Sequence, residues 1–572
     1  MAGAKKKPVK KKSKLTPERR KAKAAERAFL RKIRTIFQKT GFARVSVENK
    51  HFKFSGRSGE FDDVFVKENV IVCAEYTLHS QANMGDHVKS KAHLLNLIHD
   101  NPSTFITFLI ENFPDVAGAV SDKYHADQLR LRVIYCSPHE VNSEHAALTA
   151  KTRFMWIGTI EYFKSLTDTL KLSARYELFE FLGLEFGEVG EHGKIPDGGD
   201  QTFKGTLLPE PHSNFPPGYK VLSFYVSPAA LLSRAYVLRK DGWQDVYGLY
   251  QRMVDSKKIE NIRRHLRSQK RVFVNNIIVT LPNETRVDDK NGNPVDGTKI
   301  TETTPVIVRL PQNSNTVGIV DGQHRVFSYY EDAQDDPEIS KFRNLQNLLA
   351  TGIMYPKDLP EADRRKFEAG LFLEINSTQK SPAPSVIQAV GVITDPYLHD
   401  SIGKGVVSRL AQISPLEGLL ERHFFDQNVL KTASIVSFGL RRLVRLDGDE
   451  SLIHVWTSPS KESVKAKAND EALRSYVAFC ASQLAIFLSA AKANLPVDAW
   501  KIASKEGSGI LATVSVNGLI ILFRKVVKSE GLSDFEGYKT KLNKLRTFDF
   551  QGYHSSHYNR MANEIMATIY GK

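Results

Sequence analysis

Apolar residues at Ala22, Ala25, Phe29, Ile33, Ile36 and Phe37 recur at helical spacing behind Thr16-Pro17-Glu18, an N-cap with Pro at the first helical position. The pattern predicts a basic amphipathic helix that stops near Gly41. Phe42 to Val47, His51 to Phe54 and Glu60 to Val66 alternate weakly, whereas Val70 to Ala74 is a continuous apolar run of the kind that forms a buried strand. A helix is expected over His87 to Ile98, strands over Leu129 to Tyr135 and Phe154 to Ile160, and a helix over Ala174 to Leu182. Gly and Pro accumulate from Phe186 to Tyr219 and predict a linker. Beyond it come a strand over Leu222 to Val226 and a helix over Ala229 to Val237. Two further strands, Asn276 to Leu281 and Val306 to Leu310, flank a polar stretch from Glu284 to Thr304 that reads as a long hairpin or protruding loop. After about Ser385 the pattern turns helical, through Val406 to Ile413, Ser434 to Leu446, Glu471 to Ala493 and Leu511 to Lys528.

A chain of 572 residues exceeds what one core usually supports, and about three domains are expected. The pattern divides it into a basic arm over 1–15, an α/β domain over 16–185, a linker over 186–218, an α+β domain over 219–385 and a mainly helical region over 386–572. The fold class expected is multidomain α+β.

Charge changes this picture at one end. The first 24 residues hold eleven Lys and Arg against Glu18 alone, so +10 of the net +16 lies there and +6 on the remaining 548 residues. A basic arm on a nearly balanced body is the footprint of an electrostatic tether to a polyanion, and Lys5, Lys6, Lys7, Lys10, Lys11, Lys12 and Lys14 are the candidate DNA contacts. The arm has no apolar periodicity and is expected to be disordered. Cys73, Cys136 and Cys480 are far apart, which argues against a disulfide framework or a cysteine zinc site. No run of about 18 continuous apolar residues occurs, and a soluble, cytoplasmic protein is expected.

The pentapeptide Asp321-Gly322-Gln323-His324-Arg325 follows the strand-like run Thr316 to Val320 and leads into Val326 to Glu331. A strand that stops at Asp-Gly and restarts as a helix points backbone N–H groups at one spot, where the helix's positive end favours an anion. Gly322 permits the turn, Asp321 is placed to cap the helix, and His324 and Arg325 supply donors within one turn. The string Val320 to Val326 resembles the signature of the DGQHR-domain proteins, relatives of the ParB/sulfiredoxin-like fold that include the DndB regulators of DNA phosphorothioation. The resemblance covers roughly residues 200 to 440. It takes in Tyr250-Gln-Arg252, Lys258 to Arg263 and Phe273 to Val279 upstream, and it implies a second strand at Leu371 to Asn376 with a turn at Ser377-Thr378-Gln379-Lys380. It implies phosphate or nucleotide binding by Asp321, Gly322, Gln323, His324, Arg325, Asn376, Gln379 and Lys380, with a nucleoside triphosphate as ligand in some relatives and DNA approached directly in others.

A second constellation lies in the first domain: Gly59-Glu-Phe-Asp62-Asp63-Val-Phe-Val66, a turn at Lys67-Glu-Asn69, then Val70 to Thr77 with Glu75 inside the strand. Two carboxylates brought together this way, Asp62 and Glu75, offer oxygen ligands suited to magnesium or manganese. The arrangement resembles the PD-(D/E)xK nucleases, with Glu26 or Glu48 as further acids, and implies a restriction-endonuclease-like α/β fold. That family expects Lys two residues after the strand Glu, where this chain has Thr77. Lys89 and Lys91, on the following helix, are the candidates to replace it. The plainer alternative makes Asp62 and Asp63 turn acids and Glu75 a salt-bridged strand residue. His79, His87, His93 and His99 fit no compact helical pair and are expected at the surface.

Together these features suggest a DNA-binding protein of a prokaryotic DNA-modification or phage-defence system, with DNA and other proteins of the same cluster as partners. One alternative is a hydrolase, either a metal-dependent nickase through Asp62 and Glu75 or an NTPase through Asp321, His324 and Arg325. Another is a noncatalytic DndB-like regulator that occludes a promoter or a modification site.

Overall fold

The computed structural model describes residues 16–48, 50–190, 201–239, 243, 251, 253–379, 383–423, 425–503, 509–554 and 556–570. The basic arm, with its seven candidate lysines, lies outside the described residues, as do Tyr250, Arg252 and Lys380. The chain is a mixed α/β protein that divides into two compact units. Met1–Phe215, Lys220–Tyr236 and Val254–Met354 form the first, and Pro216–Tyr219, Val237–Met253 and Tyr355–Lys572 the second. Both large sheets belong to the first unit.

Helix α1 (Pro17–Lys39) begins as its sequence predicts, with the Thr16 hydroxyl accepting the Arg19 N–H, and buries Phe29, Ile33, Ile36 and Phe37. Its first three turns are exposed on every side through Ala28. Next come β1 (Ala43–Ser46), the small hairpin β2 (Phe52–Phe54) and β3 (Arg57–Gly59), then β4 (Asp63–Lys67) and β5 (Val70–Tyr76). Helices α2 (Gln81–Asp100) and α3 (Pro102–Asn112) carry the chain over to β6 (Arg130–Ser137), and β7 (Arg153–Trp156) follows. The five-stranded sheet has the order β1-β4-β5-β6-β7, antiparallel through β5 and parallel from β5 onward.

Strand parity decides what each face receives. Val64, Val66, Ile71 and Cys73 pack with Leu94, Leu95, Ile98 and Phe105 of α2 and α3, so Glu75 and Thr77 continue on the α2 side. Asp63 and Phe65 point the other way, where Phe65 stacks on Phe37 of α1 at 4.2 Å. The strand expected over Phe154 to Ile160 stops at Trp156, and Ile157–Leu170 is a helix that buries Ile160, Tyr162, Phe163 and Leu166. A short apolar run does not by itself tell strand from buried helix.

The second sheet runs β10-β14-β11-β15-β9-β8-β13-β12, where β8 is Gln201–Leu207, β9 Lys220–Val226, β10 Ala235–Tyr236, β11 Ile277–Leu281, β12 Arg286–Asp288, β13 Thr304–Leu310, β14 Val317–Asp321 and β15 Leu348–Met354. The Gly- and Pro-rich span 186–218 therefore supplies a strand, β8, paired with both β9 and β13. The expected hairpin of β11 with β13 does not form. β11 pairs with β14 and β15, while β13 takes β8 and the short β12. β11 finds both partners far along the chain, which local turn signals do not reveal, whereas β13 takes one distant partner, β8, and one, β12, from the polar stretch itself.

The second unit is helical. Asp470–Ala493 and Thr513–Glu530 supply much of its core, with Tyr476, Cys480, Leu484, Phe487, Leu519 and Phe523 buried. Asp470–Ala493 is long and apolar enough by composition to cross a membrane, yet it packs these residues inward as a core helix does. The segment Ile435–Leu440 winds as a π-helix inside the span expected to be regular. Leu371 to Asn376, which the resemblance made a strand, and Ser377 to Gln379 of the turn expected after it lie within the helix Glu361–Gln379. Acidic residues in its first turn and the Glu361–Arg365 ion pair one turn apart favour that helix.

Candidate functional site

Asp62 precedes β4. Its backbone N–H donates to the Ala74 carbonyl at 3.0 Å, and its carboxylate Oδ2 accepts the Tyr76 N–H at 2.7 Å. That pair of bonds lays the Asp62 side chain across the end of β5, next to Glu75. The Glu75 side chain is only 7% exposed, and Lys91 Nζ meets its Oε1 at 2.6 Å. Burial pushes the Glu75 carboxyl up to about 7, against the opposing pull of Lys91 and with Asp62 and Glu60 adding to the rise. Burial also raises Asp62, where the Tyr76 N–H lowers it and Asp63 and Glu60 raise it. Burial is thus the main reason that both carboxyls lie above their ordinary range, and a cation placed between them would favour their charged forms.

The neighbouring acid is different in kind. Asp63 is fully buried on the opposite face of the sheet, held by Arg34 Nε at 2.7 Å, Arg44 Nε at 2.6 Å and the Tyr76 hydroxyl at 2.9 Å. Its charge is matched twice over, and it joins α1 to the sheet. Adjacent acids in one strand are therefore sorted by parity into a structural residue and a candidate site residue.

Of the two lysines expected to stand in for residue 77, Lys91 reaches Glu75, whereas Lys89 is exposed and pairs with Asp86 at 3.4 Å. Glu48 is exposed and 3.9 Å from Arg34, and Glu26 lies on the exposed half of α1. Thr77 is buried and ties β5 to β6 through its N–H to the Cys136 carbonyl at 2.9 Å.

Two histidines expected at the surface are engaged. His87 Nδ1 is 2.5 Å from the Tyr135 hydroxyl, and Tyr135 stands opposite Glu75 in the β5–β6 register. Burial first, then the His79 and Lys91 charges, push His87 down to about 4, so the ring is neutral at pH 7. The exposed His79 ring lies 4.7 Å from it. His99 is bonded to Thr152 and is likewise pushed down to about 4 by burial. The i, i+4 spacing of His87 and Lys91 on one helix face was the signal in the sequence for this grouping.

Among the described residues, no three His, Cys, Asp or Glu side chains converge on one point as a metal group. Two carboxylates still suit magnesium, which commonly binds through one or two carboxylates and keeps water or substrate phosphate as its other ligands. Asp62 and Glu75 fit that donor set.

The pentapeptide is arranged otherwise. β14 ends at Asp321, Gly322 takes φ +98°, and the helix that follows, Gln323–Phe327, has five residues. Asp321 does not cap it. The cap position is Gly322, and the Asp321 carboxylate instead takes Arg325 Nη2 at 2.9 Å. A Cβ at residue 322 would stand 3.0 Å from that guanidinium, so glycine is needed for space as well as for its dihedral. His324 Nε2 accepts the Asp255 N–H at 3.1 Å, and Gln323 is buried. So short a helix carries little of the N-terminal field that the sequence suggested.

Asn376 belongs to the second unit and donates from Nδ2 to the Phe372 carbonyl at 2.8 Å. Lys380 and the Gln379 side chain lie outside the described residues. No protein-family model matches the chain, and no curated protein or solved structure matches it either.

Proposed function

We propose that this chain engages DNA and hydrolyses its phosphodiester backbone at Asp62, Glu75 and Lys91, in a restriction-endonuclease-like domain. The observation that carries the reading is the 2.6 Å contact of Lys91 with the buried Glu75 carboxylate, which brings a cation to the strand acid although residue 77 is Thr. An antiparallel β4–β5 hairpin followed by a helical crossover to parallel β6 supports the fold assignment. A divalent magnesium or manganese ion bound by Asp62 and Glu75 would neutralise phosphate charge and acidify a water.

The rest falls to the chain's own residues. The Tyr76 N–H and the strand end fix the Asp62 carboxylate, and α2 delivers Lys91 where it can neutralise a non-bridging phosphate oxygen as charge develops. The buried walls of Tyr135 and Thr77 reduce competing water. Arg19, Arg20, Lys21, Lys23 and Arg27 on the exposed turns of α1 extend the basic arm toward a polyanion. The DGQHR resemblance adds a DNA-modification or defence setting.

Supercoiled plasmid incubated with the full chain and magnesium or manganese tests the reading. Nicking by the wild type that is lost in Glu75→Gln and Lys91→Ala supports it. No nicking under either metal, with duplex binding retained, favours the noncatalytic regulator instead.

A further inference from the structure

The helix Ser256–Gln269 carries more positive charge than its fold uses. Asp255 caps it, its carboxylate accepting the Lys257 and Lys258 N–H groups, and Ile259, Arg263 and Leu266 are buried. Arg263 donates to the Ser328 carbonyl and lies 3.9 Å over the Tyr330 ring. Arg267 is matched by Asp336 at 2.9 Å and Glu260 at 2.8 Å, and Lys270 by Glu338 at 3.6 Å. Those cations hold the helix in the domain.

On the opposite side, Lys257, Asn261, Arg264 and Ser268 follow one another at i, i+4, i+7 and i+11, and all four are exposed. Arg271 continues the charge just past the C-cap and is exposed too. Among the described residues, no acidic side chain forms an ion pair with Lys257, Arg264 or Arg271, although acids answer Arg267 and Lys270 on the same helix. The exposed Glu260, three residues past Lys257 and four before Arg264, is taken up by Arg267 at 2.8 Å, which leaves these three cations unanswered among the described residues. Lys257 and Arg264 are about 10 Å apart along the axis, a length that passes about three phosphates of each strand of a duplex. Between them stands the short amide of Asn261, a group that hydrogen-bonds phosphate oxygens, while Ser268, a turn past Arg264, donates its hydroxyl to the His265 carbonyl at 3.1 Å. Neither offers a stacking face for an unpaired base, and the nearby Phe273 ring is already against His265 at 4.7 Å.

We propose that this side of the helix Ser256–Gln269 is a contact for the backbone of duplex DNA, with Lys257, Arg264 and Arg271 meeting phosphates and Asn261 hydrogen-bonding between the first two. The inference rests on the DNA reading above for its partner, but its residues are separate from Asp62, Glu75 and Lys91. It also moves phosphate recognition from the Asp321–Arg325 turn to a neighbouring element.

The test uses the full chain in EDTA and a fluorescent 30-base-pair duplex, with binding followed by anisotropy across a salt series. Replacing Lys257, Arg264 and Arg271 together by Ala is expected to reduce the slope of log affinity against log salt by about 2 to 3, since each lost phosphate contact removes about 0.9. Affinity at physiological salt should fall at least tenfold, with the thermal midpoint unchanged because all three side chains are exposed. Arg267→Ala, which removes a cation already paired, should leave the slope alone. A triple variant with the wild-type slope overturns the proposal, as does a wild type that binds single-stranded RNA but not the duplex. Plasmid nicking with added magnesium reports separately on the hydrolytic site. Stripe-dependent binding without nicking removes that site and keeps the stripe, and nicking with a stripe-independent slope does the reverse.

Discussion

The Asp62–Glu75–Lys91 cluster and the Asp321–Arg325 turn lie in the same compact unit, and each ends a strand with charged residues close in sequence. Their electrostatics differ. At the turn, one carboxylate and one guanidinium four residues apart answer each other at 2.9 Å. At the cluster, Lys91 meets Glu75 while Asp62 forms no ion pair among the described residues, and burial lifts both carboxyls above their usual range. A motif is conspicuous through residue types, but reactivity depends on how far the fold has already compensated their charge. By that measure the less conspicuous motif is the better candidate for chemistry.

The largest difference in cost is expected between the adjacent acids Asp62 and Asp63. Asp63→Ala leaves Arg34 and Arg44 without their buried carboxylate and is expected to cost about 3 kcal/mol or more in chemical denaturation, whereas Asp62→Asn should be close to neutral. Equal costs for the two would show that the acids are not sorted by strand face.

Lys91→Ala should lower metal-dependent nicking about 100-fold, the usual loss when one donor to developing charge is removed. In that background Thr77→Lys should restore part of the rate, because it returns a cation to the same face of β5. In the wild type, Thr77→Lys should bring no gain and some loss of stability, since residue 77 is buried and Lys91 already meets Glu75. A wild-type rate in Lys91→Ala would leave Glu75 without its supposed partner in catalysis.

The pH dependence of stability sharpens the same point. Glu75 titrates at about 7 in the folded chain against an ordinary 4.5, so the folded state binds its proton more tightly. The stability it contributes is complete below about 4.5 and is lost as pH rises through 7. In metal-free buffer, Glu75→Gln should therefore match the wild type at pH 4 and exceed it at pH 8, by up to roughly 3 kcal/mol. Parallel stability curves for the two proteins would remove the buried-carboxylate argument.

Arg325→Ala carries the smallest expected effect. A partly exposed i, i+4 pair contributes about 0.5 to 1 kcal/mol, and its loss should change neither duplex affinity nor the salt slope. A steep fall in nucleotide or DNA affinity with this variant would reverse the comparison and return phosphate binding to the turn.

Local patterns carried a good part of this reading. The N-cap and apolar spacing of α1, the continuous run at β5 and the periodic C-terminal helices are visible in the sequence because each rests on residues a few positions apart. Asp62, Glu75 and Lys91 were also visible as candidates, since an acid before a strand, an acid within it and a lysine on the next helix can be found by counting. Tertiary structure alone decided the rest. Strand parity sent Asp63 to the α1 face and Glu75 to the α2 face, and helix phase brought Lys91 rather than Lys89 to that carboxylate. β11 pairs with β14 and β15 and β13 with β8, all distant segments, so Gly and Pro between 186 and 218 concealed a strand, and the polar stretch after β11 folds back on β13 through β12 without joining β11 to β13. The Arg325 charge is answered inside its own turn, a fact of side-chain direction and not of residue type. Sequence names the groups able to carry charge, but only packing decides which are buried, which are paired and which still need a partner, because desolvation and Coulomb energy depend on distances the chain acquires when it folds.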